Sequence, residues 1–482
     1  MGARQRSVGP QSLAPGRRTE IRKAPGHRWR RSSDAECRIS QHRRVRPERP
    51  GVEPRERYGY RAVGPSRGRP CRRPSPGSGR FRPACSRRGR LPPDDIFGDL
   101  HTRRSRPMNA VQMMTGAWAT AGPLPEGTVT FDQNNQLVRL DDGRVLLAGG
   151  TDAVFAATAT AALFDPATDT WSTTGSMSST RRIHTMTLLP DGKVLAAGGI
   201  AGPFRFPTPS VASADLFDPK SGTWSPTGSM TEPRLGHTAT LLADGRVLVA
   251  GGGRVRGTDS GRTLATAELY DPATGLWTAT ETMTDARVDS QSVLLPDGRV
   301  LLVGGTVETG HGTFAHLAFC ELFDPILEKW TTTGSMSVPR NNHQATLLPG
   351  GDVLVTGGTV AGVVPGTIYD PHSHSSVEMY SIEAETWTPV APLPIGRARH
   401  QALVLRDGRL LVSGGADEAS LQVGYASTVI YDPLSGKWSA TGGLATGRYD
   451  HGAVLLEDGR VLAAGGLAAA QTVTPTTELF TA

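Results

Sequence analysis

The amino-acid sequence predicts an all-β fold, a seven-bladed β-propeller of four-stranded antiparallel blades. Two landmarks recur along the chain with one period. Glycine pairs after apolar runs are spaced 49, 53, 53, 53, 57 and 51 residues apart, at 149–150, 198–199, 251–252, 304–305, 357–358, 414–415 and 465–466. Tryptophans are spaced 53, 53, 53, 53, 57 and 51 residues apart, at Trp118, Trp171, Trp224, Trp277, Trp330, Trp387 and Trp438. Repeats of about 50 residues that cannot bury both faces alone are typical of propeller blades.

Each repeat predicts four short strands. In the second repeat, an alternating segment from His184 is followed by Asp191-Gly192 and an apolar run ending in Gly-Gly. Asp-Gly between apolar runs is a strong hairpin signal, because glycine accepts the positive φ of the turn. A loop of variable length follows, then a third strand ending in Asp-Pro, then a fourth strand that carries the tryptophan. In six repeats an aromatic residue precedes that tryptophan by seven positions.

The chain ends predict how the wheel closes. The last repeat stops at Phe480, in its third strand, where no tryptophan follows. Trp118 precedes the first complete repeat in a segment that matches the fourth strands of the others. We therefore expect an N-terminal strand to complete the last blade and remove its open edge.

These landmarks resemble the kelch motif, over about residues 111–482. The resemblance implies a propeller, but the family includes peptide-binding adaptors, actin-binding proteins, sugar epimerases and copper oxidases, so fold does not fix function. A distant resemblance to the galactose oxidase propeller also implies a test. Such a site needs a tyrosine cross-linked to a cysteine, and Cys320 is the one cysteine after residue 107. It occupies the position of Ala161 and Ala214, so we expect a buried strand residue and no copper site.

Residues 1–107 differ from the rest in charge and are predicted to be a disordered, Arg/Pro-rich tail, separate from the propeller at 108–482. They carry 29 of the 52 basic and 9 of the 45 acidic residues, whereas residues 108–482 carry 23 basic and 36 acidic ones. The tail has too few apolar residues to form a core. It is interpreted as non-functional or as lying upstream of the natural start at Met108, with a polyanion-binding arm as the alternative. No signal peptide or apolar membrane segment is recognised, so we expect a cytoplasmic monomer.

The two faces of the propeller differ in their loops. Asp-Gly and Asp-Pro turns, nearly identical between blades, form one face, which we name the turn face. The loops between the second and third strands and the connections between blades form the other, which we name the variable face. From the second glycine to the third-strand aromatic, the intervals there are 14, 18, 18, 18, 22, 16 and 14 residues. Binding residues concentrate on loops of rigid scaffolds, so we predict a binding site on the variable face.

An Arg-x-x-His pattern opens the innermost strand on that side. Its arginines, which we name the arginine ring, are Arg181, Arg234, Arg287, Arg340, Arg397 and Arg448, with Asp132 at the first repeat. The corresponding position supplies ligand contacts in peptide-binding kelch propellers, and guanidinium groups suit carboxylates. The sequence leaves two interpretations open for the arginines, ligand contact or maintenance of the blade. For the histidines we expect satisfied polar groups between blades.

Loop residues that differ between repeats are candidates for specificity. They are Phe204, Arg205 and Phe206, together with Arg254, Arg256 and Arg262. Exposed aromatic and arginine side chains often anchor partners. A metal site from His311, His316, His372 and His374 is an alternative that imidazole chemistry allows, although solvated loop histidines are the preferred interpretation.

The functional prediction is a binding or scaffold protein that recognises a protein or a small acidic ligand on the variable face, without a cofactor. The alternative is a carbohydrate-active enzyme, an epimerase, lyase or oxidase, at the mouth of the central channel. It would use an arginine, a histidine and a carboxylate from Asp132, Asp289 or Asp450, because acid–base chemistry needs groups at hydrogen-bond range.

Overall fold

The computed structural model describes residues 116–126, 137–202, 208–256, 259–310, 313–359, 373–417 and 423–482. In these residues, seven four-stranded sheets form the blades, and two further hairpins lie in the loops of blades 3 and 4. The predicted all-β, seven-bladed propeller is confirmed. The predicted tail, Asp132 and the Phe204–Phe206 segment lie outside the described residues. Within the described parts, no helix has the length and apolar character needed to cross a membrane.

The strands follow chain order within each blade. Blade 1 contains β2 (Leu137–Arg139), β3 (Val145–Ala148), β4 (Ala161–Asp165) and β5 (Thr170–Thr173). Blade 2 contains β6 (Thr185–Leu188), β7 (Val194–Ala197), β8 (Ala214–Asp218) and β9 (Thr223–Thr227). Blade 3 contains β10 (Thr238–Leu241), β11 (Val247–Ala250), β14 (Ala267–Asp271) and β15 (Leu276–Ala279). Blade 4 contains β16 (Gln291–Leu294), β17 (Val300–Val303), β20 (Cys320–Asp324) and β21 (Lys329–Thr332). Blade 5 contains β22 (Gln344–Leu347), β23 (Val353–Thr356), β24 (Val377–Ser381) and β25 (Thr386–Val390). Blade 6 contains β26 (Gln401–Val404), β27 (Leu410–Ser413), β28 (Thr428–Asp432) and β29 (Lys437–Ala440). Blade 7 contains β30 (Gly452–Leu455), β31 (Val461–Ala464), β32 (Thr477–Thr481) and β1 (Ala117–Ala121). The loop hairpin of blade 3 consists of β12 (Gly253–Arg256) and β13 (Asp259–Thr263), and that of blade 4 of β18 (Thr306–Gly310) and β19 (Thr313–His316).

The recurring aromatic and tryptophan form one contact in every blade. Phe164 of β4 lies opposite Trp171 of β5 in the sheet register, and their ring centroids are 5.2 Å apart. The second strands are buried along their whole length, as Val194–Ala197 shows. Core clusters therefore form between adjacent blades, and apolar burial stabilises the wheel through these shared cores.

The glycine pairs lie at the seams between blades. Gly198 and Gly199 have φ values of 67° and 96°. The Gly199 N–H donates to the Arg234 carbonyl oxygen of the next blade at 2.8 Å. A Cβ on Gly198 would lie 2.7 Å from that same oxygen. Glycine recurs here because the position needs positive φ and has no room for a side chain.

Blade 7 is closed by the N-terminal strand, as the sequence predicts. β1 pairs antiparallel with β32, and Trp118 lies opposite Phe480. Their ring centroids are 5.3 Å apart. On the turn face, the Arg460 guanidinium of blade 7 also binds Asp169 of blade 1, with Nη1 at 2.8 Å from Oδ1. The pairing of β1 with β32 and this ion pair between blades 7 and 1 thus close the wheel.

Candidate functional site

The arginine ring is buried. All six side chains have 0% relative exposure. In each, Nη1 donates to the carbonyl of the first glycine in the Gly-Gly pair of its own blade; for Arg234 the acceptor is Gly251 at 2.7 Å. Ligands on the surface cannot reach a side chain with no exposed area, so the interpretation of these arginines as direct ligand contacts does not fit their placement. The alternative interpretation, maintenance of the blade, does.

Five of the six arginines are neutralised by a buried carboxylate on the third strand. The pairs, with N–O distances of 2.6–2.8 Å, are Arg181–Asp215, Arg234–Glu268, Arg287–Glu321, Arg340–Glu378 and Arg448–Glu478. The Glu268 carboxylate also accepts the Thr231 N–H at 2.7 Å. Burial raises the pKa of Glu268, but the hydrogen bonds from Thr231 and the Arg234 guanidinium outweigh it and lower that pKa.

Blade 6 departs from this pattern. Val429 occupies the carboxylate position, and Pro394, which has no N–H, occupies the position of Thr231. Arg397 nevertheless remains, and it has no carboxylate partner within the described residues. Its Nη1 donates to Gly414 and Ser427 carbonyls at 2.8 and 3.0 Å, and its guanidinium lies 5.5 Å from the Tyr425 ring centroid. Burial lowers the pKa of Arg397 to about 10, against an opposing contribution from Tyr425.

The histidines of the Arg-x-x-His pattern are buried between blades. They are not all satisfied as expected, since neither ring nitrogen of His343 has a hydrogen-bond partner within the described residues. His237 Nε2 lies 3.0 Å from Thr185 Oγ1 of the preceding blade, and His400 Nε2 lies 2.8 Å from Thr356 Oγ1. Burial, with the neighbouring arginine, lowers the pKa of His237 to about 3. These imidazoles are therefore neutral at physiological pH and are uncharged polar groups packed between blades.

A polar pocket with a cavity volume of about 20 Å³ lies at the channel mouth on the variable face. We name it the mouth pocket. Its lining comes from residues that follow the arginines of blades 4 to 7 by two to four positions, with blade 7 contributing one residue. The charged members are Asp289, Arg399 and Asp450. The uncharged members include the amides Gln291, Asn342, Gln344 and Gln401, and the imidazoles His343 and His400.

An ion pair forms one wall of the mouth pocket. Arg399 Nη1 lies 2.9 Å from Asp450 Oδ2, and the two side chains are 5% and 4% exposed. Burial raises the pKa of Asp450, although Arg399 opposes that shift. Asp289, Gln291 and Asn342 on the other side are half-buried and face the opening. Two carboxylates therefore accompany one guanidinium.

The backbone that carries this lining is unusual. Asp289, Asn342, Arg399 and Asp450 have φ values of 54°, 50°, 56° and 50°. Residues with side chains rarely adopt this left-handed region, and each one costs of order 1 kcal/mol. Inter-blade hydrogen bonds hold the conformation: the Asp450 N–H donates to the Arg399 carbonyl at 3.1 Å, and the Arg399 N–H to the Asn342 carbonyl at 3.0 Å.

Two residues of this pocket were predicted from the sequence. Asp289 and Asp450, which are candidate carboxylates, line it together. Arg399 and the amides were missed. The available signal was the residue two positions after each arginine. It is polar in all of blades 4 to 7, whereas blades 2 and 3 have Ile183 and Gly236 there.

The remaining loop candidates lie away from this pocket. Arg254 of β12 pairs with Glu232 at 3.1 Å and is half-buried. Arg256 belongs to the same strand, but its side chain is outside the described residues. The hairpins of blades 3 and 4 touch, because the Glu308 N–H donates to Thr263 Oγ1 at 3.2 Å. Both hairpins follow the glycine pairs of their blades and therefore belong to the variable face.

The candidates for metal chemistry are placed as follows. Cys320 is buried in β20, and burial raises the pKa of its thiol to about 12. His316 Nδ1 lies 3.2 Å from Thr306 Oγ1, whereas His311 and His372 are outside the described residues. Within the described parts of the chain, no three His, Cys, Asp or Glu side chains are grouped to hold a metal ion.

Comparisons with known proteins match the repeat pattern. The family described as the KLHDC2/KLHL20/DRC7 Kelch-repeats domain matches residues 236–466. Kelch-like protein 34 of Homo sapiens is 27% identical over 48% of this chain, and Kelch-like protein terF of Aspergillus terreus is 22% identical over 54%. Beta-scruin of Limulus polyphemus is 26% identical over 55%. The matches span 33%, 56% and 28% of these relatives' lengths, so each relative extends well beyond the shared region.

A solved structure shows the same fold. It is a fungal alcohol oxidase of the AA5 family, in complex with copper, which superposes with a TM-score of 0.60 over 76% of each chain at 16% identity. At that identity the likeness concerns the fold alone. The sequence matches have a physical basis in the repeated structure. Each of the seven blades has a glycine pair at its seam and a contact between an aromatic residue and a tryptophan. The chain is a seven-bladed β-propeller, and its repeats are similar to kelch repeats over residues 236–466.

Proposed function

We propose that this propeller is a protein-interaction module that binds a segment of a partner through the variable face. The observation that carries the proposal is the asymmetry between the faces. The two loop hairpins and the mouth pocket all lie on the variable face. The turn face repeats the same Asp-Gly and Asp-Pro turns, and its arginines tie neighbouring blades together, as Arg299 does with Glu385 at 2.7 Å.

Buried contacts support a rigid platform under that face. The arginine ring and the glycine seams fix the backbone at the channel mouth, so the mouth pocket is formed before any partner arrives. A preorganised site binds with less ordering cost than a flexible one. Kelch-like relatives make partner binding the first function to test for this chain.

The enzyme alternative receives less support from the same geometry. The mouth pocket does bring carboxylates, an arginine and imidazoles together. However, burial, with the neighbouring Arg340 and Arg397, holds the pKa of His343 and of His400 well below the usual value, and Asp450 is engaged by Arg399. General acid–base groups work best with a pKa near the operating pH, which these imidazoles do not have.

Blocking one face at a time tests the proposal. In a chain with Cys37, Cys71 and Cys85 replaced by serine, Thr309→Cys places an exposed thiol on the variable face and Ser435→Cys places one on the turn face. Each is coupled to a maleimide polyethylene glycol. We expect the buried Cys320 to stay unlabelled, because its thiol is inaccessible and its pKa is about 12.

The measurement is retention of peptides from a random phage-displayed library. We expect the Thr309-blocked protein to lose at least ten-fold of the retained phage, while the Ser435-blocked protein keeps them. Equal retention by both proteins, or loss only on blocking Ser435, contradicts binding through the variable face.

A further inference from the structure

The imidazoles between blades share one kind of hydrogen-bond partner, a hydroxyl of the preceding blade. That hydroxyl belongs either to the first residue of the innermost strand or to the last residue of the second strand. The pairs, with distances from Nε2 to the hydroxyl oxygen of 3.0, 2.8 and 3.4 Å, are His237 with Thr185, His400 with Thr356 and His451 with Ser413. The packing of the blades therefore shows which group satisfies this imidazole.

His343 of blade 5 lacks such a hydroxyl. The two corresponding residues of blade 4 are Gln291 and Val303. His343 is 1% exposed, and neither of its ring nitrogens has a hydrogen-bond partner in the part of the chain that the structure describes. Buried polar side chains are normally hydrogen-bonded, and an unpaired one is destabilising. A neutral imidazole has one donor and one acceptor, and both are unused here.

The mouth pocket gives a ligand access to His343, and its size limits what can enter. His343 and Gln291 both belong to the lining. A cavity of about 10–15 Å³ holds one water molecule. The cavity volume of about 20 Å³ therefore accepts a group of one or two non-hydrogen atoms. A hydroxyl on a short side chain has this size, whereas a guanidinium or an aromatic ring is too large.

The charges around His343 do not favour a ligand of one sign. The lining contains two carboxylates and one guanidinium. The buried Arg397 acts on the same lining, because burial, with Arg397, holds the pKa of His400 well below its usual value. Burial, with Arg340, has the same effect on the pKa of His343, which is therefore neutral. A neutral hydroxyl suits this site, since it can donate to one ring nitrogen or accept from the other.

We infer that the mouth pocket receives the hydroxyl of a serine or threonine in the partner segment, which hydrogen-bonds to His343 in place of the hydroxyl that blade 4 lacks. The inference rests on the proposed function and specifies its ligand chemistry. It differs from the sequence-based expectation of an acidic ligand. That expectation relied on arginines at the channel mouth, and all six have 0% relative exposure.

Two substitutions test the role of His343 with residues that the propeller already uses. Gln291→Thr gives blade 4 the residue that blade 2 has at Thr185, so that His343 gains a hydroxyl from within the protein. His343→Ser gives blade 5 the residue that blade 4 has at Ser290. Glu457→Gln, at an exposed position on the turn face, is the control. Circular dichroism melts establish that the variants fold like the wild type.

Random phage-displayed peptides are selected on the full-length wild type, after subtraction of phage retained by the Thr309-blocked protein. That subtraction removes peptides bound by the basic N-terminal residues. We expect the remaining peptides to share a serine or threonine at one position. The best of them is synthesised with and without that hydroxyl, with alanine replacing serine or α-aminobutyrate replacing threonine. The affinity of both versions is measured on each protein.

We expect the wild type and Glu457→Gln to bind the hydroxyl version at least about five-fold more tightly, because the other version leaves His343 unpaired. Gln291→Thr and His343→Ser should bind the hydroxyl version no more tightly than the other, since each substitution removes the same interaction. Peptides without a shared serine or threonine, or a preference for the hydroxyl that persists on either variant, overturn the inference and leave the proposed function standing. No peptide specific to the variable face overturns both.

Discussion

Lowering the pH from 7.5 to 5 is expected to destabilise the propeller by several kcal/mol. Burial and the adjacent arginines lower the pKa of His237 and of His451 to about 3, and hold the pKa of His184, His343 and His400 well below 6.5. In the unfolded chain the same groups titrate near pH 6.5. The unfolded state therefore takes up protons first, so stability falls as the pH drops from about 6.5 towards 3.

His237 and His451, whose pKa in the folded state is about 3, each contribute about 2 kcal/mol between pH 6.5 and 5. Asp450 acts in the opposite sense, because burial raises its pKa and the folded state binds its proton first; it offsets part of the effect. Urea titrations at closely spaced pH values measure the loss. His451→Ser mimics blade 4, where Ser290 is native, and should reduce the slope of stability against pH by about one proton.

An unfolding midpoint that stays constant between pH 7.5 and 5 contradicts buried neutral histidines. The slope is the informative quantity, since His451→Ser also removes packing and lowers stability at every pH.

Arg340→Met is expected to destabilise the propeller by at least about 2–3 kcal/mol more than Arg397→Met. Both changes remove the same two kinds of hydrogen bond, to a glycine carbonyl and a serine carbonyl. Only Arg340→Met leaves a buried carboxylate, Glu378, without its counter-charge. Stranding one partner of a buried ion pair costs about 3–5 kcal/mol.

Arg397→Met instead removes a buried charge that no carboxylate of the described residues neutralises. Denaturant unfolding of the two variants gives the comparison, and the double variant with Arg340→Met and Glu378→Met should recover much of the loss. Equal destabilisation by the two single changes would show that the carboxylates do not compensate the arginines.

The periodic landmarks made the fold predictable because each has a local physical cause. The Gly198-Gly199 seam needs positive φ, and the contact of Phe164 with Trp171 follows from strand register. The burial of the arginines was not settled by the Arg-x-x-His pattern alone. The signal that settles it is an acid 34 positions after the arginine in three blades, as in Arg181 and Asp215.

The mouth pocket was harder to predict. Its lining residues sit on left-handed backbone at Asp289, Asn342, Arg399 and Asp450, which turns their side chains into the channel. A strand periodicity cannot give that direction. The orphaned His343 also depends on a comparison between blades at Gln291 and Val303, since the histidine itself looks the same in five repeats.

The assignment of the two faces depends on the pairing of β1 with β32. A disulfide cross-link tests that pairing directly. Ala117 and Thr481 lie opposite each other in the register of β1 and β32, and both are exposed. Opposed Cα atoms of antiparallel strands are about 4.5–5.5 Å apart, within the range of a disulfide. In the chain without Cys37, Cys71 and Cys85, Ala117→Cys with Thr481→Cys should oxidise quantitatively in the folded protein and raise its stability by about 2–4 kcal/mol. Ala117→Cys with Thr332→Cys, in blade 4, should remain reduced; a bond in that control pair, or none between residues 117 and 481, would contradict the closed seven-bladed wheel.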